Sequence, residues 1–397
     1  MLVAMLTALC ASATPIDDFA ASKAINAPQT AVIVFDLKEG REILRMNGDT
    51  PLIPASIMKC VTTATLLQKT NHSFRYETPV FFTGEVHDGV LDGNLIIRAS
   101  GDPSINTGHE PGSENFVAEI VEALKRDGIS QIRGRVTIDE KEFPGPAVNP
   151  TWMSGDLPHA YGTGTHGFNF EDNALGKKSV KDPAGVFAAR LNSALAREGI
   201  SIDGESIPDK GKYRLLTIHK SAEIDEIMRS CMMRSDNQFA EAMLRTVARE
   251  SGLPGSTAEG AKEEMAHWKR NKADMEGVNI VDGSGLSRSN RVTAEFMTDV
   301  LKQMARNPYY ASFFPLAGQE GTLKRFLEDT PLDSYIAMKT GSMKGIQCYA
   351  GYKLDEDYVP THVVVVMMNE MENRAAARAE VERLLLATFG YGEEVKR

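Results

Sequence analysis

Apolar positions along this chain change their spacing several times. Near the start, TAVIVFDLKEGREILRMNGD carries an apolar run, a turn at Lys38-Glu39-Gly40 and a second strand-like run. That is the pattern of a β-hairpin. SIMKCVTTATLLQKT follows as a helix, with Pro54 and Ser56 at its start. From about Phe74 to Tyr213 the texture is short strands, ETPVFFTGEV, GVLDGNLIIRAS and GRVTIDE, separated by Gly, Asp, Pro and Asn turns. One amphipathic helix, DPAGVFAARLNSALAREG, lies within it. After YRLLTIHKS helices dominate: AEIDEIMRSCMMR, NQFAEAMLRTVARES, STAEGAKEEMAHWKR and TAEFMTDVLKQMAR. The chain closes on three strands, AMKTGS, IQCYAGYKL and THVVVVMMN, and a long helix, RAAARAEVERLLLATFG. A hairpin at one end and three strands at the other predict one antiparallel sheet assembled from both chain ends. The expected fold class is α+β, with residues 14–73 and 214–397 forming one domain and 74–213 a β-rich insertion.

The first residues, MLVAMLTALCASATPIDDF, form an apolar run that ends in small residues. Ala11-Ser12-Ala13 fits an A-x-A cleavage site, so residues 1–13 read as a secretory signal with maturation at about Thr14, although no Lys or Arg precedes the run. Leu9 before Cys10 is bulkier than lipoprotein sites prefer. The run is too short to span a bilayer, and at most peripheral membrane contact is expected. The reading places the mature protein in the periplasm or outside the cell. With 54 acidic against 44 basic residues the net charge is −10, and no basic run breaks it. Nucleic-acid binding is therefore not expected. Cys60, Cys231 and Cys348 make no complete disulfide framework and read as small core residues of one domain. The eight histidines show no metal-ligand spacing, and there is no Cys-x-x-Cys. No metal or other cofactor is expected.

The lysine in PASIMKC stands out. Lys59 sits one turn after Ser56, inside a run of Ala, Ile, Met, Cys and Val. A buried cation is costly unless it has partners or gives up its proton. Ser-x-x-Lys alone is weak, since roughly one chance occurrence is expected in a chain this long, as an N-cap serine and a surface lysine. Two further triplets change the weighing: Ser235-Asp236-Asn237 between two helices, and Lys339-Thr340-Gly341 at the end of a strand. The residue types suggest roles. Ser56 at a helix N-terminus is the candidate nucleophile. Lys59, on the same helix face, would be a neutral base, its pKa lowered by desolvation and by Lys339. Ser235 offers a hydroxyl to pass the proton to a leaving amine. Asn237 can donate to a substrate carbonyl and hold Lys59. Lys339, with Thr340 and Ser342, suits a ligand ending in a carboxylate. Gly341 leaves room for substrate along the strand. The backbone N–H groups of Ser56 and Ser342 would form the oxyanion hole.

Those three motifs in that order are the known signature of class A β-lactamases and penicillin-binding proteins. The sequence most resembles the low-molecular-mass class C penicillin-binding proteins, the D-alanyl-D-alanine carboxypeptidase/endopeptidase family. About 180 residues separate the first two motifs, leaving room for the inserted domains of that family. SGDPSI (100–105), DLPHAYG (156–162), FNFEDN (168–173) and DGSGLSRSNRVTA (282–294) match further family segments, and the resemblance spans roughly Ala31 to Gly390. It implies a β-lactamase/transpeptidase-like catalytic domain and hydrolysis of peptidoglycan stem peptides through an acyl-enzyme, with β-lactams as covalent inhibitors. It also implies that insertion residues help line the pocket for the peptide side chain. Trp152, Asp156 and Tyr161 are candidates, and Arg291 could approach. The Gly101-Asp102-Pro103 stretch reads as a turn, and Asp282 to Leu286 as a structural loop near the cleft.

Two other functions compete. A class A β-lactamase needs a glutamate-activated water, for which Glu276 is the candidate at a comparable distance, in a Glu-x-x-Asn spacing that does not fit. A non-catalytic penicillin-binding scaffold would keep the fold without turnover.

Overall fold

The computed structural model describes residues 14–209 and 212–392. The segment read as a signal, 1–13, lies outside the described residues. Helix α1 (Pro15–Ala21) leads into the hairpin β1 (Thr30–Asp36) and β2 (Arg41–Met46). A 3-10 turn, Ala55–Ile57, opens α2 (Met58–Lys69), whose residues from Met58 to Leu67 are buried all round. A helix without a polar face is one enclosed by the rest of the fold.

The inserted region then builds β3 (Glu77–Phe82), β4 (Glu85–His87), β5 (Val90–Asp92), β6 (Leu95–Arg98), α3 (Phe116–Arg126), β7 (Gln131–Ile132) and β8 (Val136–Asp139). It continues with β9 (Ala174–Leu175), β10 (Lys178–Ser179), α4 (Pro183–Arg197), β11 (Ser201–Ile202) and β12 (Arg214–Lys220). Its two four-stranded sheets run β12-β3-β6-β8 and β11-β7-β5-β4. β12 pairs antiparallel with β3, Lys220 opposite Glu77. Ser221 N donates to Tyr76 O at 3.0 Å and Tyr76 N to Ser221 Oγ at 2.9 Å. The chain thus leaves and re-enters through two adjacent strands, and Arg214–Lys220, assigned from the sequence to the catalytic part, extends the inserted sheet. α3 was not expected; the Gly- and Pro-rich turns around it mask a helix whose Phe116, Ile120, Val121 and Leu124 face one core.

Helices α5 (Ile224–Arg234), α6 (Asn237–Glu250), α7 (Thr257–Arg270) and α8 (Ala294–Met304) follow, then β13 (Ile336–Met343), β14 (Ile346–Leu354), β15 (Pro360–Met368) and α9 (Arg374–Thr388). The five-stranded antiparallel sheet has the order β13-β14-β15-β1-β2, so both chain ends build it. Two of its central strands carry unbroken apolar runs, Ala31 to Phe35 in β1 and Val363 to Met368 in β15, because helices cover both faces. Ala31, Ile33, Val363, Val365 and Met367 enter the core shared with α2, α5, α6 and α8. Their neighbours Val32, Val34, Val364, Val366 and Met368 enter the core under α9. This is the expected α+β architecture, with one antiparallel sheet built from both chain ends. Cys60, Cys231 and Cys348 all lie buried in the first of these cores.

The inserted region has its own core. Phe187 sits at its centre, with ring centroids 5.5 Å from Phe116, 5.1 Å from Phe168 and 5.4 Å from Phe170. Phe187→Ala should therefore lower unfolding free energy by about 3–5 kcal/mol, as measured by chemical denaturation. A loss below about 1 kcal/mol would mean that this cluster is not a packed core.

Candidate active site

Strand parity and one turn place the chemistry. Along β13, Ala337, Lys339 and Gly341 share one face, and Ala337 belongs to the core with α2. Gly341 is where the strand meets the turn carrying Ser56. A Cβ there would stand 2.6 Å from Pro54 O and 3.0 Å from Ser56 N. Gly341 therefore serves the approach of two backbones, in place of the substrate clearance expected from the sequence. Ala55 is held at φ 47° and Ser235 at φ 60°, a left-handed conformation that costs a non-glycine residue about 1–2 kcal/mol. Both flank the catalytic groups, where such strain is commonly found.

Lys59 has no accessible surface. Its Nζ lies 2.6 Å from Asn237 Oδ1, 2.8 Å from Ser284 O and 3.1 Å from Ser56 Oγ. The two carbonyl oxygens can only accept, so they take two N–H bonds. An ammonium would donate to all three oxygens; once a proton is lost, the amine keeps two N–H groups for the carbonyls and one lone pair for Ser56 Oγ. Burial lowers the lysine's pKa, opposed by the charges of Asp236, Asp282 and Glu241 at longer range. The amine is thus set to take the serine proton. Asn237 also donates through Nδ2 to Tyr161 O at 2.7 Å, which ties the inserted region to the base.

The Ser284 carbonyl escaped sequence reasoning, because a backbone acceptor has no residue signature. Its position is built by two buried acids. Glu241 Oε1 accepts from Gly283 N at 3.0 Å and Ser284 N at 2.8 Å. Asp282 accepts from Gly285 N, Ser287 N, Asn290 Nδ2 and Trp152 Nε1. Desolvation, then the neighbouring Asp282, raises the Glu241 pKa. Gly285 is at φ 79°, and a Cβ on it would lie 1.9 Å from Ala55 O. The loop is therefore fitted directly against the nucleophile turn.

Lys339 is also fully buried, and its Nζ donates to Thr340 O at 2.8 Å. Burial first, and Lys59 second, brings its pKa down to about 7. The carboxylate-binding role expected from the sequence meets an ammonium without accessible surface. Thr340 and Ser342 point to the opposite face of the strand. They line a cleft of about 350 Å³ with Ser56 and Ser235. Among the described residues the Ser235 hydroxyl has no hydrogen-bond partner.

The remaining candidates divide. Tyr161 is exposed beside Asn237, and its hydroxyl donates to Asp156 Oδ1 at 3.1 Å. Trp152 is buried and donates to Asp282 at 2.8 Å, so it packs the loop and is not among the residues lining the cleft with Ser56. Arg291 turns back on its own loop, Nη1 donating to the carbonyls of Arg288 and Asn290 at 2.8 Å. The structure does not bring it to the cleft. Asp102 is buried and accepts from Ser104 N and Oγ, which makes the Gly-Asp-Pro stretch an internal turn. Glu276 sits on an exposed loop, its N–H bonded to Asp274, and is not among the residues that line the cleft with Ser56. Sequence reasoning also missed Gln347, Tyr349, Arg374 and Arg378, which line the cleft.

The family model described as the D-Ala-D-Ala carboxypeptidase 3 (S13) family matches residues 12–178 and 176–387. The chain belongs to this family. It is accordingly a serine peptidase, a hydrolase of the low-molecular-mass class C penicillin-binding proteins, and the β-lactamase reading falls away. D-alanyl-D-alanine carboxypeptidase DacB of Haemophilus influenzae is similar at 25% identity over 395 residues, covering 81% of each chain. The crystal structure of penicillin binding protein 4 (dacB) from Haemophilus influenzae superposes with a TM-score of 0.81 at 22% identity, over 95% of this chain and 99% of that one. That protein complexed with a novel β-lactam superposes with a TM-score of 0.73 at 23% identity, over 91% and 96%. These likenesses carry the S13 fold.

Two outcomes follow from the buried amines of this S13 member. Asn237→Asp puts a carboxylate against Lys59 and favours its ammonium, so the acid limb of the pH–kcat/KM profile should move to higher pH. An unmoved limb would remove Lys59 from the titration that limits the rate. For Lys339, a folded pKa near 7 lies below the unfolded value near 10.5. Between those values the unfolded chain holds the extra proton, so this group makes stability rise with pH through that window, and its full penalty is felt below pH 7. Lys339→Met should therefore stabilise the fold more at pH 7 than at pH 10 in denaturant titrations. Equal effects at both pH values would show that the amine is not desolvated.

Proposed function

We propose that this chain is a serine D,D-peptidase that removes the terminal D-Ala from peptidoglycan stem peptides and opens D-Ala–diaminoacid crosslinks. The observation that carries the reading is the buried Lys59 Nζ, 3.1 Å from Ser56 Oγ, with its other contacts made to two carbonyl oxygens. Ser56 Oγ attacks the carbonyl of the penultimate D-Ala while its proton passes to Lys59 Nζ. The oxyanion sits between the backbone N–H groups of Ser56 and Ser342. Each such donor is worth about 10²–10³ in rate. The proton goes on through the Ser235 hydroxyl to the leaving amine, the C–N bond breaks, and an ester on Ser56 remains. Water then hydrolyses that ester and restores the serine.

β-Lactams present a strained amide to the same groups and would leave a slowly hydrolysed ester. Asp156 and Tyr161 would meet the peptide side chain, a role supported by the bond from Asn237 to the Tyr161 carbonyl and that from the Tyr161 hydroxyl to Asp156. The S13 match and the family's motifs support the substrate class. The leader-like apolar start supports action outside the cytoplasm, where peptidoglycan lies.

The test is incubation with purified stem peptides and crosslinked dimers, with products resolved by mass. Loss of one alanine, and conversion of dimer to monomers, are expected. Ser56→Ala should abolish both, together with labelling by a fluorescent penicillin. Lys59→Ala should cut the acylation rate by about 10²–10⁴-fold with an unchanged circular dichroism spectrum. Alanine release by the Ser56→Ala protein would refute the acyl-enzyme route.

A further inference from the structure

FNFEDN (168–173) has no part in the chemistry above, and its side chains have separate tasks. Phe168 and Phe170 fill the core of the inserted region. Asn169 and Asn173 are buried, and their amides bond within that region. Glu171 accepts from Asn106 Nδ2 at 3.0 Å and from Arg190 Nε at 2.9 Å. Asp172 is the residue that reaches outward, to α5. Glu171, Asp172 and Asn173 stand at φ 51°, 59° and 49°, a left-handed run that only a well-determined surrounding sustains. That turn aims the Asp172 carboxylate. Its Oδ2 lies 2.9 Å from His109 Nε2, and its Oδ1, without a hydrogen-bond partner among the described residues, lies 3.8 Å from Arg234 Nη2. The same Arg234 nitrogen donates to Asp236 Oδ2 at 3.1 Å, and the guanidinium lies over the Phe239 ring at 5.0 Å. Asp236 Oδ1 caps α6, accepting from Phe239 N at 3.0 Å. Arg234 and Asp236 are thus joined across the residue between them, Ser235, which is itself held at φ 60°. Two carboxylates, one from each region, share a single guanidinium.

We propose that Asp172 is a positioning residue for the Ser235 hydroxyl, acting through Arg234, and that the inserted region thereby governs delivery of the proton to the leaving amine. A left-handed serine keeps its shape only while its surroundings impose it. The Arg234–Asp236 bridge imposes it locally, but a partly exposed ion pair holds little by itself. Asp172 takes hold of the guanidinium from the other side, and His109 and the turn behind it anchor that grip to a packed core. The consequence is chemical. When Ser56 attacks an amide, the C–N bond breaks and the departing amine must gain a proton, which Ser235 passes on. When it attacks a thioester, the C–S bond breaks and a thiolate departs without one, the serine proton staying on Lys59 until solvent takes it. Both routes leave the same ester on Ser56. Loosening the Ser235 turn therefore slows the first route and spares the second. The inference rests on the D,D-peptidase reading for its substrate, and the two separate by experiment.

The probes are an N-acylated peptide ending in D-Ala-D-Ala and the same acyl group ending in D-Ala-thiolactate, with kcat/KM reporting acylation for both. Asparagine tolerates the left-handed region, so Asp172→Asn removes the charge and keeps the turn. It should lower kcat/KM for the amide by about 10- to 100-fold, the scale of a misplaced reacting group, and for the thioester by less than about twofold. Arg234→Gln should give the same pattern, and Arg234→Lys should recover part of the amide rate. In a Ser235→Ala background Asp172→Asn should add no further loss, because a residue that acts through Ser235 has nothing left to position. Equal losses on the two substrates, or a full further loss in the Ser235→Ala background, would show a merely structural role and overturn the proposal, as would an amide rate that stays unchanged. Hydrogen exchange gives the arm without turnover. Asp172→Asn should speed exchange several-fold in a peptide spanning 230–240 and leave β14 and β15 as they are. Unchanged exchange at 230–240 overturns the proposal. Faster exchange there, in a protein whose parent form cleaves neither substrate, would uphold the clasp on Ser235 and refute the peptidase reading.

Discussion

Two lysine amines share a dry space, and every hydrogen bond they make goes to a neutral oxygen. The rest of the site follows from that constraint. A cation without a counter-ion in such a place is expensive, and two of them more so. Giving up a proton relieves that cost, and with two N–H groups on carbonyls the freed lone pair is left for Ser56 Oγ. A nucleophile is thus activated by desolvation, with no charged partner in contact. The fold has to keep water out and hold the oxygens still.

It does so with layers. α2 carries Ser56 and Lys59 and is enclosed by the sheet on one side and α6, α7 and α8 on others. The loop from Asp282 to Asn290 closes the remaining side. Its backbone would not hold this shape unaided, so Asp282 and Glu241 gather its N–H groups. Both acids are buried, and each is compensated by several donors. The inserted region adds one further contact of consequence, from the Tyr161 carbonyl to Asn237. It also docks along α6, where Arg249 pairs with Glu142 at 2.6 Å and Arg245 donates to Pro146 O at 2.8 Å.

Much of this was legible in the sequence. The continuous apolar runs at both ends announced strands covered on two faces, and β14 and β15 fall on the segments read as IQCYAGYKL and THVVVVMMN within a residue. The three motifs named the side chains that converge. What the sequence hid has physical reasons. The Ser284 carbonyl is backbone and leaves no trace in composition. Arg291 and Trp152 look available on paper, but loops that fold on themselves absorb their donors. The exit of the inserted region was misplaced because Arg214–Lys220 could pair with either sheet, and only the partner strand decides. One signal was present and unused. Period-two alternation in Lys339-Thr340-Gly341-Ser342 already forces the lysine and the two hydroxyls to opposite faces.

That alternation divides the labour of the site. Lys339 and Gly341 face inward, toward the proton machinery. Thr340 and Ser342 face the side where α9 brings guanidinium groups. The separation matters because the inward face is sealed by protein while the outward face opens on the cleft. The inner half works only while its amine stays uncharged, so nearby acids must be kept from touching it. Asp282 and Glu241 comply, since their oxygens are occupied by N–H groups and the oxygens that reach Lys59 are carbonyls.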